Sequence, residues 1–189
     1  MEFDDKRTNV EKQVLEYLTK RKFKEASLIV AAYEAKQSRP RGIGIDWKHY
    51  NTNRDIAMLS IIFRSKPKIL VQLKNEKFEA LRIAAAMMAL LGENRAKKWL
   101  PYDFKTDLPF DNDTAARMLF FHAQNQVALE EYLKSRVIKR VEVLATQDSC
   151  EACKKLTKKR YELNEAPELP SEHCIHKLGC RCVYLPCVD

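Results

Sequence analysis

Five of the six cysteines fall between positions 150 and 182, as Cys150, Cys153, Cys174, Cys180 and Cys182, and His173 and His176 lie among them. Cys150 and Cys153 form a C-x-x-C pair, and the other three thiols return only after the long segment 154–173. Two sequence-close groups of soft donors separated in this way have the spacing of a structural zinc site. Zinc takes about four N or S ligands in a tetrahedron, and binding them closes the chain between the two groups. A segment of this size buries too little apolar surface to offset its chain entropy, so the ion contributes much of its folding free energy.

The expected ligands are Cys150 and Cys153 first, then Cys182, Cys180 and Cys174. His176 and His173 are substitutes, and Cys187 is a bystander. One Zn2+ in a structural role is expected rather than two, because there is a single C-x-x-C knuckle. A thioredoxin-like redox pair would sit between a strand and a helix in an α/β pattern, which the chain lacks. A disulfide scaffold would accompany an export signal, and the opening MEFDDKRTNVEK is too polar for one.

Upstream of this segment the pattern is helical. Asn9 is placed to cap a helix through Val10, Val14, Leu15 and Leu18, and a second helix follows over 23–37. SRPRGIGIDWKHYN breaks the period with Pro40, Gly42 and Gly44, then offers Trp47 and Tyr50 as packing anchors in an ordered loop. Ile56, Leu59, Ile62 and Phe63 mark a helix over 53–63, and Pro67 suits the first turn of the next. The Ala- and Met-rich stretch 78–91 reads as a buried helix stopped at Gly92. Asp113 is expected to cap a long helix starting TAARMLFF. At Val137 the character changes. IKRVEVLAT is β-branched and loosely alternating, and RCVYLPCV looks like its partner strand.

The fold class expected is therefore mostly α: a helical body over 1–136 and a small C-terminal α+β zinc-binding module over 137–189. VEVLATQDSCEACKKL, ELPSEHC and GCRCVYLP resemble the C-terminal part of the phage head-morphogenesis, or minor head protein, family. The likeness covers about residues 115–187 and rests on Asp148, Cys150, Cys153, Pro170, Cys180, Arg181 and Cys182. It implies a helical lead-in to a zinc-knuckle-like cap. The chain departs from the family in TKKRY, where a glycine is usual, and in the insert HCIHKLG. The insert makes Cys174 or His176 the stand-in for the family's histidine ligand.

The net charge of +8 is unevenly spread, with +6 over 61–99 and +6 over 134–160. Such blocks are either solvated helix faces or phosphate-binding patches. Lys154, Lys155, Lys158, Lys159, Arg160 and Arg181 lie closest to the cysteines. No phosphate loop, dinucleotide fingerprint or hydrolase motif is present, and four glycines are too few for most of them. His49 beside Asp46 reads as part of a loop cluster, His122 as a core or interface histidine, and Glu130, Glu131, Asp111 and Asp113 as surface or capping residues. No apolar run approaches the roughly 18 residues that cross a bilayer. These features lead to a cytoplasmic, non-enzymatic binding or assembly protein with a protein partner. The alternative is a nucleic-acid-binding zinc protein using the two basic blocks, and an enzyme domain is a third class.

Overall fold

The computed structural model describes residues 2–42 and 44–188, so Met1, Ile43 of the expected loop and Asp189 of the expected module lie outside the described residues. The chain is mostly α-helical, with a small antiparallel sheet near its C-terminus. Five helices come first: α1 (Glu2–Thr19), α2 (Phe23–Glu34), α3 (Asn53–Arg64), α4 (Asn75–Leu91) and α5 (Asn112–Lys134). They are followed by β1 (Ile138–Leu144), the single-turn α6 (Glu151–Lys154), β2 (Arg160–Glu162) and β3 (Val183–Val188).

The apolar stripes meet as their spacing requires. Val14 and Leu18 of α1, Val30 of α2, Leu59 and Ile62 of α3, and Leu81 and Met87 of α4 are all buried in one core. Each fully buried side chain of this size contributes about 1.5–3 kcal/mol. Ala84, Ala85 and Ala86 of α4 and Ala115, Ala116 and Ala123 of α5 are fully buried, which leaves little side-chain bulk between two helices in contact. α4 ends as expected at Gly92, whose φ of +65° continues the chain in a left-handed C-cap.

Three local expectations are corrected, and the loop anchors are found as expected. Asn9 lies inside α1, which already begins at Glu2. The Asn9 side chain accepts instead from Gln13 Nε2 at 3.0 Å. Asp111, not Asp113, caps α5 by accepting from the Thr114 N–H at 2.7 Å. Asp113 accepts from the Ala96 N–H at 2.6 Å and so fastens the preceding loop to the helix. Pro67 precedes a short 3-10 turn over Lys68–Leu70, and α4 starts only at Asn75. In the expected loop, Trp47 is buried and donates from Nε1 to the Arg41 carbonyl at 2.6 Å, with Tyr50 against its ring.

The sheet order is β2-β1-β3, with both pairings antiparallel. The expected partner strand pairs with β1 in the register Val143 to Tyr184 and Val141 to Pro186. Val141, Val143 and Tyr184 turn inward, and the sheet contacts α5 through both β1 and β3. The buried cluster thus runs from the helices into the sheet without a break. β2 had no counterpart in the sequence reading. Its three residues, Arg160, Tyr161 and Glu162, carry no apolar alternation, and the strand is held by pairing and by the Arg160–Glu142 cross-strand ion pair at 3.0 Å.

Candidate metal centre

The C-x-x-C pair sits at the start of α6. Cys150 is its N-cap, and its carbonyl accepts from the Lys154 N–H at 3.0 Å. Cys153, one turn on, is buried beneath it. The opposing arm arrives through two tight turns, Ser171 to Cys174 and His176 to Gly179, each closed by a backbone hydrogen bond. The Sγ atoms of Cys150, Cys153 and Cys174 lie within 4.8 Å of one another, as do those of Cys153, Cys180 and Cys182. Cys153 belongs to both triangles. Cys150 Sγ is 3.8 Å from Cys174 Sγ, and Cys153 Sγ is 3.7 Å from Cys180 Sγ. These separations are far beyond the roughly 2.05 Å of a disulfide, and all six cysteines are free thiols.

Backbone N–H groups are aimed at the sulfurs. At Cys150 the penalty of burial is outweighed by the N–H groups of Cys153 and Ile175, which hold the thiol below its ordinary value. Cys180 is drawn down by hydrogen bonds from Cys153, then Cys174 and Cys182. Cys174 is pushed up by contact with Cys153 and with Cys180. Cys182 is pushed up to about 12, its favourable contact with Cys153 being outweighed by Cys180 and by burial. The chemistry is plain: five crowded thiols cannot all ionise beside one another unless a cation sits among them. A divalent ion supplies that charge and deprotonates its thiol ligands.

The histidines are placed elsewhere. His173 is exposed. Both nitrogens of His176 face other groups, with Nδ1 accepting from the Leu178 N–H at 3.2 Å and Nε2 lying 3.5 Å from Asp148 Oδ2. Cys174, two residues earlier, stands among the thiols in its stead. Cys187 lies on β3, paired with Arg140 and outside both thiol triangles. Asp148 joins the two arms, because its carboxylate is paired with Arg181, the residue between Cys180 and Cys182. That guanidinium holds the carboxyl down at about 2.

One face of α5 carries the tail. Thr114 Oγ1 donates to the Lys177 carbonyl at 3.4 Å, and Met118 Sδ accepts from the Cys180 N–H at 3.2 Å. His122 Nδ1 meets the Leu169 carbonyl at 3.1 Å, and Asn125 Nδ2 donates to the Cys182 carbonyl at 3.2 Å. Spacings of four, four and three residues put these side chains in one row along the helix. The chain lies so close to that row at Gly179, where φ is +82°, that a Cβ there would meet Thr114 Cγ2 at 3.1 Å and Met118 Cε at 3.2 Å. Thr114, Met118 and Asn125 were not singled out from the sequence. Polar Thr114, His122 and Asn125 on an otherwise buried helix face are the signal that would have pointed to the row, whereas Met118 looks like any core residue. His122 is buried, as its apolar surroundings suggested, and burial lowers its pKa.

Much of the first basic block is tied up within the molecule. Arg64 pairs with Glu130, Lys68 with Glu172, Arg82 with Glu79 and Lys98 with Glu11. Near the thiols, Lys154 pairs with Glu151, whereas Lys155, Lys158 and Lys159 are exposed and without an ion pair among the described residues. A surface groove of about 460 Å³ is lined in part by Lys97, Tyr102, Asp111 and Asp113, and both carboxylates are already committed to backbone N–H groups. Among the described residues no helix is long and apolar enough to cross a membrane. Comparison with protein-family models, with curated proteins and with solved structures finds no match to this chain.

Proposed function

We propose that the chain is a non-enzymatic binding or assembly protein whose C-terminal segment is held by one structural Zn2+, resembling phage minor head proteins in that part. The observation that carries the metal reading is the sulfur spacing. Four thiolates about 2.3 Å from a tetrahedral ion stand about 3.8 Å apart, and the contacts between the two arms are 3.8 and 3.7 Å. The Asp148–Arg181 pair gives the two charged positions of the family-like motif a physical role, that of joining the C-x-x-C arm to the CRC arm. Free thiols throughout support a reducing, cytoplasmic setting. The function proposed for the metal is to fix a surface for a protein partner. Elemental analysis of the reduced, purified protein tests it: about one zinc per chain is expected, lost on chelation together with the tail's resistance to protease. Retained protease resistance after complete metal removal would overturn the structural role.

The exposed and unpaired Lys155, Lys158 and Lys159 beside the thiol arm favour a second reading, nucleic-acid binding by the 134–160 block. The 61–99 block supports it less, since several of its cations are paired internally. This reading expects the log of affinity for a single-stranded oligonucleotide to fall linearly with log salt, with a shallower slope in a Lys155/Lys158/Lys159 triple alanine variant. A salt-independent signal would remove it.

A further inference from the structure

We infer that the thiol cluster is also an oxidation site for hydrogen peroxide, which closes two disulfides across its arms, Cys150 to Cys174 and Cys153 to Cys180, and leaves Cys182 reduced. This goes beyond the metal reading and does not require it, because it rests on where the sulfurs stand. The compact groups are Cys150, Cys153 and Cys174 on one side and Cys153, Cys180 and Cys182 on the other. Within them, Cys150 and Cys174 have only each other and Cys153 as partners. A bond between Cys180 and Cys182 would join residues two apart in the chain, a span too short to close without strain. With that pair set aside, two bonds can coexist only if one of them joins Cys150 to Cys174. Cys153 then takes its partner from the second group, and its Sγ stands 3.7 Å from that of Cys180. The Sγ atoms of Cys150 and Cys174 are 3.8 Å apart. A disulfide needs about 2.05 Å, so each pair closes by under about 2 Å.

Access sets the order of events. Of the five clustered thiols, Cys150 alone is not buried, so peroxide meets it first. Its sulfur attacks one peroxide oxygen, the O–O bond breaks with hydroxide leaving, and Cys150 becomes a sulfenic acid. Cys174 attacks that sulfur, the S–O bond breaks and water departs. Each disulfide thus consumes two thiols and one peroxide. The second pair is buried, and Cys153, the member common to both groups, is the route to it. Cys153 attacks the Cys174 sulfur of the first bond and frees Cys150, and Cys180 then attacks the Cys153 sulfur and frees Cys174. Each exchange makes one S–S bond and breaks one. Cys150 and Cys174, reduced again, are closed by a second peroxide. The arms stay joined throughout, while the thiolates that would hold an ion are used up.

The full-length protein, reduced and as purified, tests this once its zinc content has been measured. Hydrogen peroxide is added, remaining thiols are alkylated, and the unreduced chain is cut after lysine, arginine and glutamate for mass spectrometry. Cleavage at Glu151 separates Cys150 from Cys153, and cleavage at Lys177 and Arg181 separates Cys174, Cys180 and Cys182. Four of the six free thiols are expected to be consumed, with Cys182 and Cys187 left for alkylation. The expected linkages are Cys150 to Cys174 and Cys153 to Cys180. Cys153→Ser, which lacks the relay, should stop at the single Cys150 to Cys174 bond. In wild type, a Cys150 to Cys153 or Cys180 to Cys182 product, Cys182 in the place of Cys180, or thiols that survive excess peroxide would each overturn the inference. These outcomes are read on the unmutated chain, so they do not depend on a variant that folds. Both expected bonds in a chain that holds no zinc would sink the metal reading alone, and other pairings in a zinc-bound chain would sink this inference alone.

Discussion

The helical body and the C-terminal segment solve the same problem with different materials. In the body, apolar side chains recur at helical spacing and meet in a common core, so each helix is stabilised by what it buries. The segment from Ala145 to Cys182 has few such residues. It is held by thiols at its centre and by the row of Thr114, Met118, His122 and Asn125 along α5. A core of hydrocarbon tolerates exchange among similar shapes, whereas a segment held by directional contacts depends on individual atoms.

The largest separation between the regions is expected on metal removal. Zinc binding in small modules contributes on the order of 10–16 kcal/mol, so chelation should expose 145–182 to protease while the circular dichroism of α1–α5 is largely kept. A parallel collapse of helicity would show that the two regions are one cooperative unit. Leu81→Ala is the converse probe. Leu81 is fully buried in α4, and its truncation should lower unfolding stability by about 2–5 kcal/mol in denaturant melts, with metal stoichiometry unchanged. Asn125→Ala leaves the buried Cys182 carbonyl without its donor, and a loss of about 1–3 kcal/mol is expected. If that loss is absent from the zinc-loaded form, the metal and not the helix row positions the arm.

The smallest effect concerns pH. Burial holds His122 below the ordinary imidazole value, so the unfolded chain binds its proton more readily than the folded one. The associated stability is complete above about pH 6.5 and declines as pH falls through that value. His122→Phe should flatten this part of the wild-type profile when both proteins are melted across pH 5–8. An identical pH dependence in the two would place the titrating group elsewhere.

What could be read in advance follows the same division. The buried helix over 78–91 and its stop at Gly92 were legible, because periodicity and a left-handed glycine are local signals. So was the strand pair, from β-branched residues at 138–144 and 183–188. Helix starts were less legible. Asp111 and Asp113 both suit an N-cap, and only the neighbouring loop, with its Ala96 N–H in need of an acceptor, assigns each carboxylate. β2 escaped notice because pairing rather than composition makes it a strand. The thiol cluster was visible as spacing, but the turning of His176 toward Asp148 depends on a contact across 28 positions of chain, which no local pattern encodes.

The order β2-β1-β3 sets a timetable for assembly. β1 is the first strand to leave the ribosome yet occupies the middle, so it lacks one neighbour until 160–162 emerge and the other until 183–188 do. Helices α1–α5, whose contacts are largely complete by residue 134, can settle earlier. The half-built sheet then waits with an unpaired edge, and the arm that carries Cys180 and Cys182 arrives together with β3, the strand that begins at the next residue.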